Sequence, residues 1–160
     1  MKVGLITISD RVSMGLYEDL STPILEKWML DHRVISLTKH LIPDDVNQLL
    51  NIFHILLEQN LDLILTCGGT GLAPRDITPD VTKKIIEKEV PGIPELIRSK
   101  NTHPMSALSR AICGFYKKTL ILNLSGKPQG ALEQLETAWP VILHACKVLK
   151  GKGVPNDYCG

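Results

Sequence analysis

At 160 residues the chain fits one domain of ordinary size, long enough to bury a real core and too short for two full domains. With 44% hydrophobic and 22% charged residues its composition is globular, and its apolar stretches fall well short of the roughly 18 residues needed to span a membrane. A formal net charge of +1, without a dense Lys/Arg run, gives neither a broad basic surface for nucleic acid nor an acidic tail, so an anionic ligand must be met locally.

The opening stretch MKVGLITIS meets polar Ser9-Asp10-Arg11 directly and lacks a secretory cleavage site, so it reads as a first strand over 3–8. A helix is expected from Thr22 or Pro23 to about Leu30, with Ile24, Leu25, Trp28 and Met29 apolar and Trp28 in the core. A second strand is expected over 34–37. After Pro43-Asp44-Asp45, where an aspartate can cap a helix start, Val46, Leu49, Leu50, Phe53 and Leu57 recur at helical spacing. The run 61–66 is a third strand, and 119–124 another; none alternates apolar with polar, as expected for strands covered on both faces. Thr78-Pro79-Asp80 reads as a helix start with Thr78 as the cap, proline at the first position and an acid facing the dipole. Pro91, Pro94 and Pro104 divide the stretch up to the strand at 119 into short helices, including 93–99 and 106–112. Beyond that strand come Ser125-Gly126-Lys127-Pro128, a helix to about Thr137, and a last helix that Pro140 opens and Leu149 closes. The expectation is a three-layer αβα single domain over 1–160 with a mostly parallel sheet, its tail over 151–160 loosely held.

Cys67, Cys113, Cys146 and Cys159 form no C-x-x-C pair, which argues against a zinc site or a disulfide framework and for a reducing, cytoplasmic setting. The five histidines include no H-x-x-x-H pair and read as surface or capping groups.

Two strand ends carry glycine loops that feed a helix: Gly68-Gly69-Thr70-Gly71 and Ser125-Gly126. Such loops turn backbone N–H groups inward and let an anion approach the main chain, although a tight turn explains a lone G-G-x-G equally well. Neither G-x-x-x-x-G-K-[ST] nor a G-x-G-x-x-G after the first strand is present, which demotes P-loop kinases and dinucleotide dehydrogenases. Beside the glycines stand Arg75 and Asp76, and Asp44 ends the Ile42-Pro43 segment. In a parallel sheet these reach one carboxyl edge and offer two carboxylates to a hard cation such as Mg²⁺. Their plain structural reading is a helix cap for Asp44 and a surface ion pair for Arg75 and Asp76.

The segments GLITISDR (4–11), LIPDD (41–45), TCGGTGLAPRDITPD (66–80), ALSRA (107–111) and KTLILNLSGKPQGALEQL (118–135) resemble, in order and over about 3–150, the molybdopterin adenylyltransferases of molybdenum cofactor biosynthesis. That family includes the bacterial Mog enzyme and the G domain of gephyrin. The resemblance implies the fold of the molybdenum cofactor biosynthesis proteins and transfer of AMP from ATP to the terminal phosphate of molybdopterin, with Mg²⁺ and release of pyrophosphate. Matched by motif, Asp44 and Asp76 correspond to the family's catalytic, metal-holding aspartates, and Gly68, Gly69, Thr70, Gly71 and Arg75 to its substrate loop. Ser9, Asp10, Arg11, Ser109, Arg110, Asn123, Ser125, Gly126 and Lys127 correspond to further walls of the site, with Ser9 and Asp10 equally readable as turn formers. Ser125 stands where the family typically has proline. The resemblance further implies a homotrimer and hand-over of product to a molybdenum-insertion protein; the apolar, Pro-interrupted region 90–115 is the contact surface expected from its composition. A non-catalytic molybdopterin-binding protein of the MoaB type is the alternative. A nucleotide-recycling domain of the CinA type would need additional domains.

Overall fold

The computed structural model describes residues 1–151, so the expected tail lies, beyond Gly151, outside the described residues. Six strands form one sheet: β1 (Lys2–Ile8), β2 (Ser36–Ile42), β3 (Leu63–Cys67), β4 (Lys88–Glu89), β5 (Cys113–Tyr116) and β6 (Thr119–Leu124). Their order is β2-β1-β3-β6-β5-β4. The first four in that order are parallel; β5 and β4 continue the sheet antiparallel. The helices are α1 (Asp10–Ser13), α2 (Ser21–Asp31), α3 (Val46–Leu57), α4 (Thr78–Ile85), α5 (Gly92–Lys100) and α6 (Pro128–Leu149). Among the described residues no helix is long and apolar enough to cross a membrane.

Two cores explain the three layers. On one face Leu25 and Met29 of α2, Ile93 and Ile97 of α5, and Leu135, Ala138 and Ile142 of α6 pack on Val3, Leu5, Leu63, Leu65, Leu120 and Leu122. On the other, Leu49, Phe53 and Leu56 of α3 and Val81 and Ile85 of α4 pack on Ile6, Ile8, Ile64 and Ile121. Alternate residues of each central strand feed opposite cores, so β1, β3 and β6 are predominantly apolar and, apart from Lys2, buried along their length.

Several expectations need correction. The second strand runs over Ser36–Ile42 rather than 34–37: it is an edge strand, and its polar Thr38, Lys39 and His40 break the apolar run by which the central strands are read. The expected helix over 106–112 is a 3-10 turn over Pro104–Leu108 followed by extended chain, because the Arg110 amide bonds to the Thr70 carbonyl and Ile112 bonds to Asn123 of β6 instead. The two expected C-terminal helices are one, with Pro140 inside it. Proline costs a single i→i−4 bond there, and burial of Ala138, Trp139 and Ile142 on either side outweighs it. Thr78 is not the cap of α4; Ile77 takes that position, and the Thr78 hydroxyl is buried with no partner among the described residues. Trp28 is partly buried, stacked on His32 at 3.8 Å and edge-on to Trp139.

Candidate active site

In the strand order β2 lies on one side of β1 and β3 on the other, so the crossovers diverge between β1 and β3. Open α/β sheets bind ligands outside the carboxyl ends at such a point. A cleft of about 360 Å³ opens there, walled by the ends of β1 and β3, the chain entering α3, and Gly126 after β6. Gly68 makes that convergence possible. Its φ is +113°, and a Cβ would stand 2.2 Å from the carbonyl oxygen of Ile8, so the turn out of β3 can press against the end of β1 only without a side chain. Gly69 follows at φ +61°, and a Cβ there would meet the Thr78 hydroxyl oxygen at 2.4 Å and Asp44 Oδ1 at 3.2 Å. The amides of Gly69 and Gly126, both lining the cleft, have no protein acceptor among the described residues.

The two aspartates that follow Pro43 divide their work. Asp45 caps α3, accepting from the amide of Gln48 at 2.8 Å, which leaves Asp44 for the cleft. Asp44 and Asp10 exchange bonds across the ends of β2 and β1: the Asp10 amide donates to Asp44 Oδ2 at 3.0 Å, and the Asp44 amide donates to Asp10 Oδ1 at 2.9 Å. Partial burial pushes the Asp44 carboxyl above the usual aspartate range. The Asp10 amide opposes that rise, repulsion from Asp10 and Asp76 adds to it, and the Arg75 charge offsets part. Asp76 faces the same cleft from the loop after β3. Its Oδ2 accepts from the amide of Ala73 at 2.7 Å, and it lies 2.8 Å from where a Gly71 Cβ would be. Asp44 and Asp76 therefore share one pocket and one electrostatic field.

Of the other residues expected at the site, Ser9, Asp10, Arg11, Gly68, Gly69, Arg75 and Gly126 line the cleft. Ser9 also caps α1, accepting from the amide of Val12. Arg75 forms no ion pair with Asp76. Thr70, Gly71, Ser109, Arg110, Asn123, Ser125 and Lys127 do not line the cleft. Asn123 is buried, donating to the hydroxyls of Thr66 and Thr82 and accepting from the Ile112 amide. Arg110 spends its guanidinium on Gly71, Asp76 and Asp80. The Ser125 amide donates to Gln134 Oε1 at 2.7 Å, and its hydroxyl accepts from the Lys127 amide.

The stretch 17–21 was not foreseen as a wall of the cleft. Asp19 there accepts from the amides of Ser21 and Thr22 and from the Thr22 hydroxyl, which fixes the entry into α2. The D-x-[ST] pattern before the helix was the available signal. Arg11 lies over the Tyr17 ring, 5.5 Å from its centroid. A second cavity, of about 610 Å³, opens at the opposite strand ends between Lys2, Leu57, Lys117 and Lys150 and holds neither glycine loop nor paired carboxylates.

Residues 4–144 match the family model described as "Probable molybdopterin binding domain". The chain is 41% identical over 143 residues to the molybdopterin adenylyltransferase of Haemophilus influenzae, covering 85% of this chain and 72% of that one. To its namesake in Helicobacter pylori strain J99 it is 38% identical over 154 residues, covering 93% and 88%. Among solved structures it superimposes on the molybdopterin biosynthesis enzyme MoaB of Thermus thermophilus with TM-score 0.88 at 39% identity, covering 94% and 96%. A C-terminal-edge cleft built from G-G-T-G and R-D-x-T-P-D on this sheet, together with matches over nearly all of the chain, leads to one assignment: the chain belongs to the molybdopterin-binding family of molybdenum cofactor biosynthesis proteins.

Proposed function

We propose that this protein is a molybdopterin adenylyltransferase, joining the terminal phosphate of molybdopterin to the α-phosphorus of ATP and releasing pyrophosphate. The observation that carries the reading is the pair of acidic side chains, Asp44 and Asp76, facing a single cleft floored by backbone that only glycine permits. The 41% identity to an enzyme of that name supports it.

In this reaction a phosphate oxygen attacks the α-phosphorus, the bond to the bridging oxygen breaks, and pyrophosphate leaves with the electron pair. A phosphate monoester has its second pKa near 6, so at neutral pH the attacking oxygen is already an anion and no side chain need remove a proton. The obstacle is repulsion between anions, roughly 4 kcal/mol for two unit charges about 4 Å apart at an effective dielectric near 20. The cleft answers with Arg11 and Arg75, with the amides of Gly69 and Gly126, and with main chain close enough to touch a phosphate.

The donor set fits Mg²⁺. Asp44 is a hard oxygen donor whose carboxyl is raised in part by unrelieved repulsion from Asp10 and Asp76, the condition a cation relieves. Among the described residues no group of three acidic, His or Cys side chains converges. Mg²⁺ commonly takes one or two carboxylates and fills its remaining positions with water and phosphate oxygens. Asp44 and Asp76 would hold it, and when bound it would supply charge neutralisation at the transferring phosphoryl group.

Homotrimer formation through 90–115, hand-over of product to a molybdenum-insertion protein, and a cytoplasmic setting belong to the same proposal. A monomeric mass in solution would remove the trimer. The deciding assay incubates the protein with ATP, Mg²⁺ and molybdopterin and measures pyrophosphate. Asp76→Ala is expected to lower turnover on the order of 10²-fold with the fold retained. Absence of pyrophosphate with the wild-type protein while molybdopterin still binds would leave a binding protein only.

A further inference from the structure

Arg110 has a geometry unlike that of a ligand-binding arginine. Its Nε donates to the carbonyl of Gly71 at 2.8 Å, its Nη1 to both oxygens of Asp80 at 3.0 and 2.9 Å, and its Nη2 to the carbonyl of Asp76. Its own amide donates to the carbonyl of Thr70 at 2.9 Å. One side chain thus spans the loop from entry, at Gly71, to exit, at Asp76, and reaches into the first turn of α4.

The base from which it reaches is itself held. The Ile112 amide donates to Asn123 Oδ1 and the Asn123 amide to the Ile112 carbonyl, fastening 110–112 to β6. Arg98 of α5 donates to the carbonyl of Ala111. Within the loop, the Asp76 amide donates to the Ala73 carbonyl at 2.8 Å, while Asp76 Oδ2 accepts from the Ala73 amide at 2.7 Å. That small turn fixes the carboxylate relative to 73–76 but leaves the turn free to move as a body; the bonds from Arg110 tie it to the sheet.

From this arrangement we infer that Arg110 is the positioning residue of the catalytic loop: its guanidinium fork, braced by Asp80, sets where the Asp76 carboxylate sits in the cleft. A planar fork with five N–H groups can serve three acceptors in different directions at once, and a lysine ammonium on a flexible stem cannot reproduce that geometry. The inference rests on the adenylyltransferase reading for the consequence in turnover. Its structural half stands on this chain alone.

The test uses the full-length protein and the variants Arg110→Lys, Arg110→Ala and Asp80→Asn, with two readouts. Hydrogen exchange without ligands follows the amides of Thr78 and residue 110, which donate across the loop to the carbonyls of Gly69 and Thr70, and steady-state pyrophosphate release follows kcat and the KM of each substrate. R110A and R110K are expected to exchange those two amides at least about 10-fold faster while amides of β3 and β6 keep wild-type protection. The same variants are expected to lose turnover about 10- to 100-fold, with either KM changed less than about 3-fold, since a 1 Å misplacement costs on the order of 10²-fold. D80N should show the same pattern to a smaller degree. Wild-type exchange at Thr78 and residue 110 in R110K would overturn the inference. So would a rise in one KM with kcat intact, which marks direct substrate contact. Should R110A fail to fold, R110K and D80N decide. If the wild-type protein releases no pyrophosphate, the exchange readout still decides the positioning role, and only the functional reading falls.

Discussion

Replacing Gly71 by alanine tests whether the exact seat of Asp76 matters, because it moves that carboxylate while touching little else. The new Cβ would stand 2.8 Å from Asp76 Oδ2, against an ordinary contact that begins near 3.4 Å, so the carboxylate must withdraw by about 0.6 Å. Doing so strains its 2.7 Å bond from the Ala73 amide, a charge-assisted bond worth about 1.5–3 kcal/mol when buried and less here, where Asp76 is partly solvated. Replacing glycine by alanine also restricts the unfolded chain, which returns about 0.4–1 kcal/mol. The two nearly cancel, and at about 2–4 °C per kcal/mol for a chain of this size the midpoint should stay within about 4 °C of wild type. Turnover should fall about 10-fold, taking on the order of 10²-fold per ångström of misplacement. The assay pairs thermal melting with pyrophosphate release for wild type, Gly71→Ala, Asp76→Ala and the double variant. If the effect passes through Asp76, Gly71→Ala adds nothing once Asp76 is alanine. Wild-type turnover in Gly71→Ala, or an equal loss in the Asp76→Ala background, would refute the reasoning.

Asp44 gives a pH signature with a definite sign. Its carboxyl is raised in the folded protein, so its contribution to stability is fully present below the ordinary aspartate range and is lost as pH rises through the raised value. Asp44→Asn should therefore raise the melting temperature at pH 7 but not at pH 3, while abolishing turnover; melts at both values check this. The acid limb of wild-type activity should lie higher than an ordinary aspartate would give, and move down as Mg²⁺ is raised. Asn123→Ala leaves the hydroxyl of Thr66 and the Ile112 amide without their partner, while the Thr82 hydroxyl keeps its bond to the Thr78 carbonyl; at about 1–3 kcal/mol for each group that stays unsatisfied, a loss of at least about 2 kcal/mol is expected in denaturant titration. Ser125→Pro removes the amide that donates to Gln134 and should cost about 1 kcal/mol by the same measurement, which would show that this chain has adapted to serine.

How much of this was legible beforehand depended on whether one element's own residues decided its conformation. β1, β3 and β6 are buried on both faces, so their composition announces them. β4 and β5 were not foreseen: β4 has two exposed residues, and β5 is short and returns into β6 through Lys117, at φ +51°. Ala107, Leu108, Ala111 and Ile112 fall at helical spacing, yet the chain there is drawn straight by Thr70 and Asn123, which are remote in sequence. At the site, the glycines and the acids beside them were readable because the local chain dictates both. That Asp45 takes the cap and leaves Asp44 free, and that Arg110 turns toward the loop, depend on contacts between distant segments. Periodicity carries no record of those.

Cys67 ends β3 at the rim of the cleft, and burial raises its thiol to about 12, with the hydrogen donated to the Ser125 carbonyl. Burial therefore holds the group as the thiol at neutral pH, and it is the thiolate that reacts with electrophiles. The pocket thus presents oxygen to incoming ions and keeps its sulfur mute. A thiophilic ion such as copper or zinc would have to displace that proton and break the bond to the Ser125 carbonyl to gain a soft anchor beside the carboxylates, a cost that a hard ion does not meet.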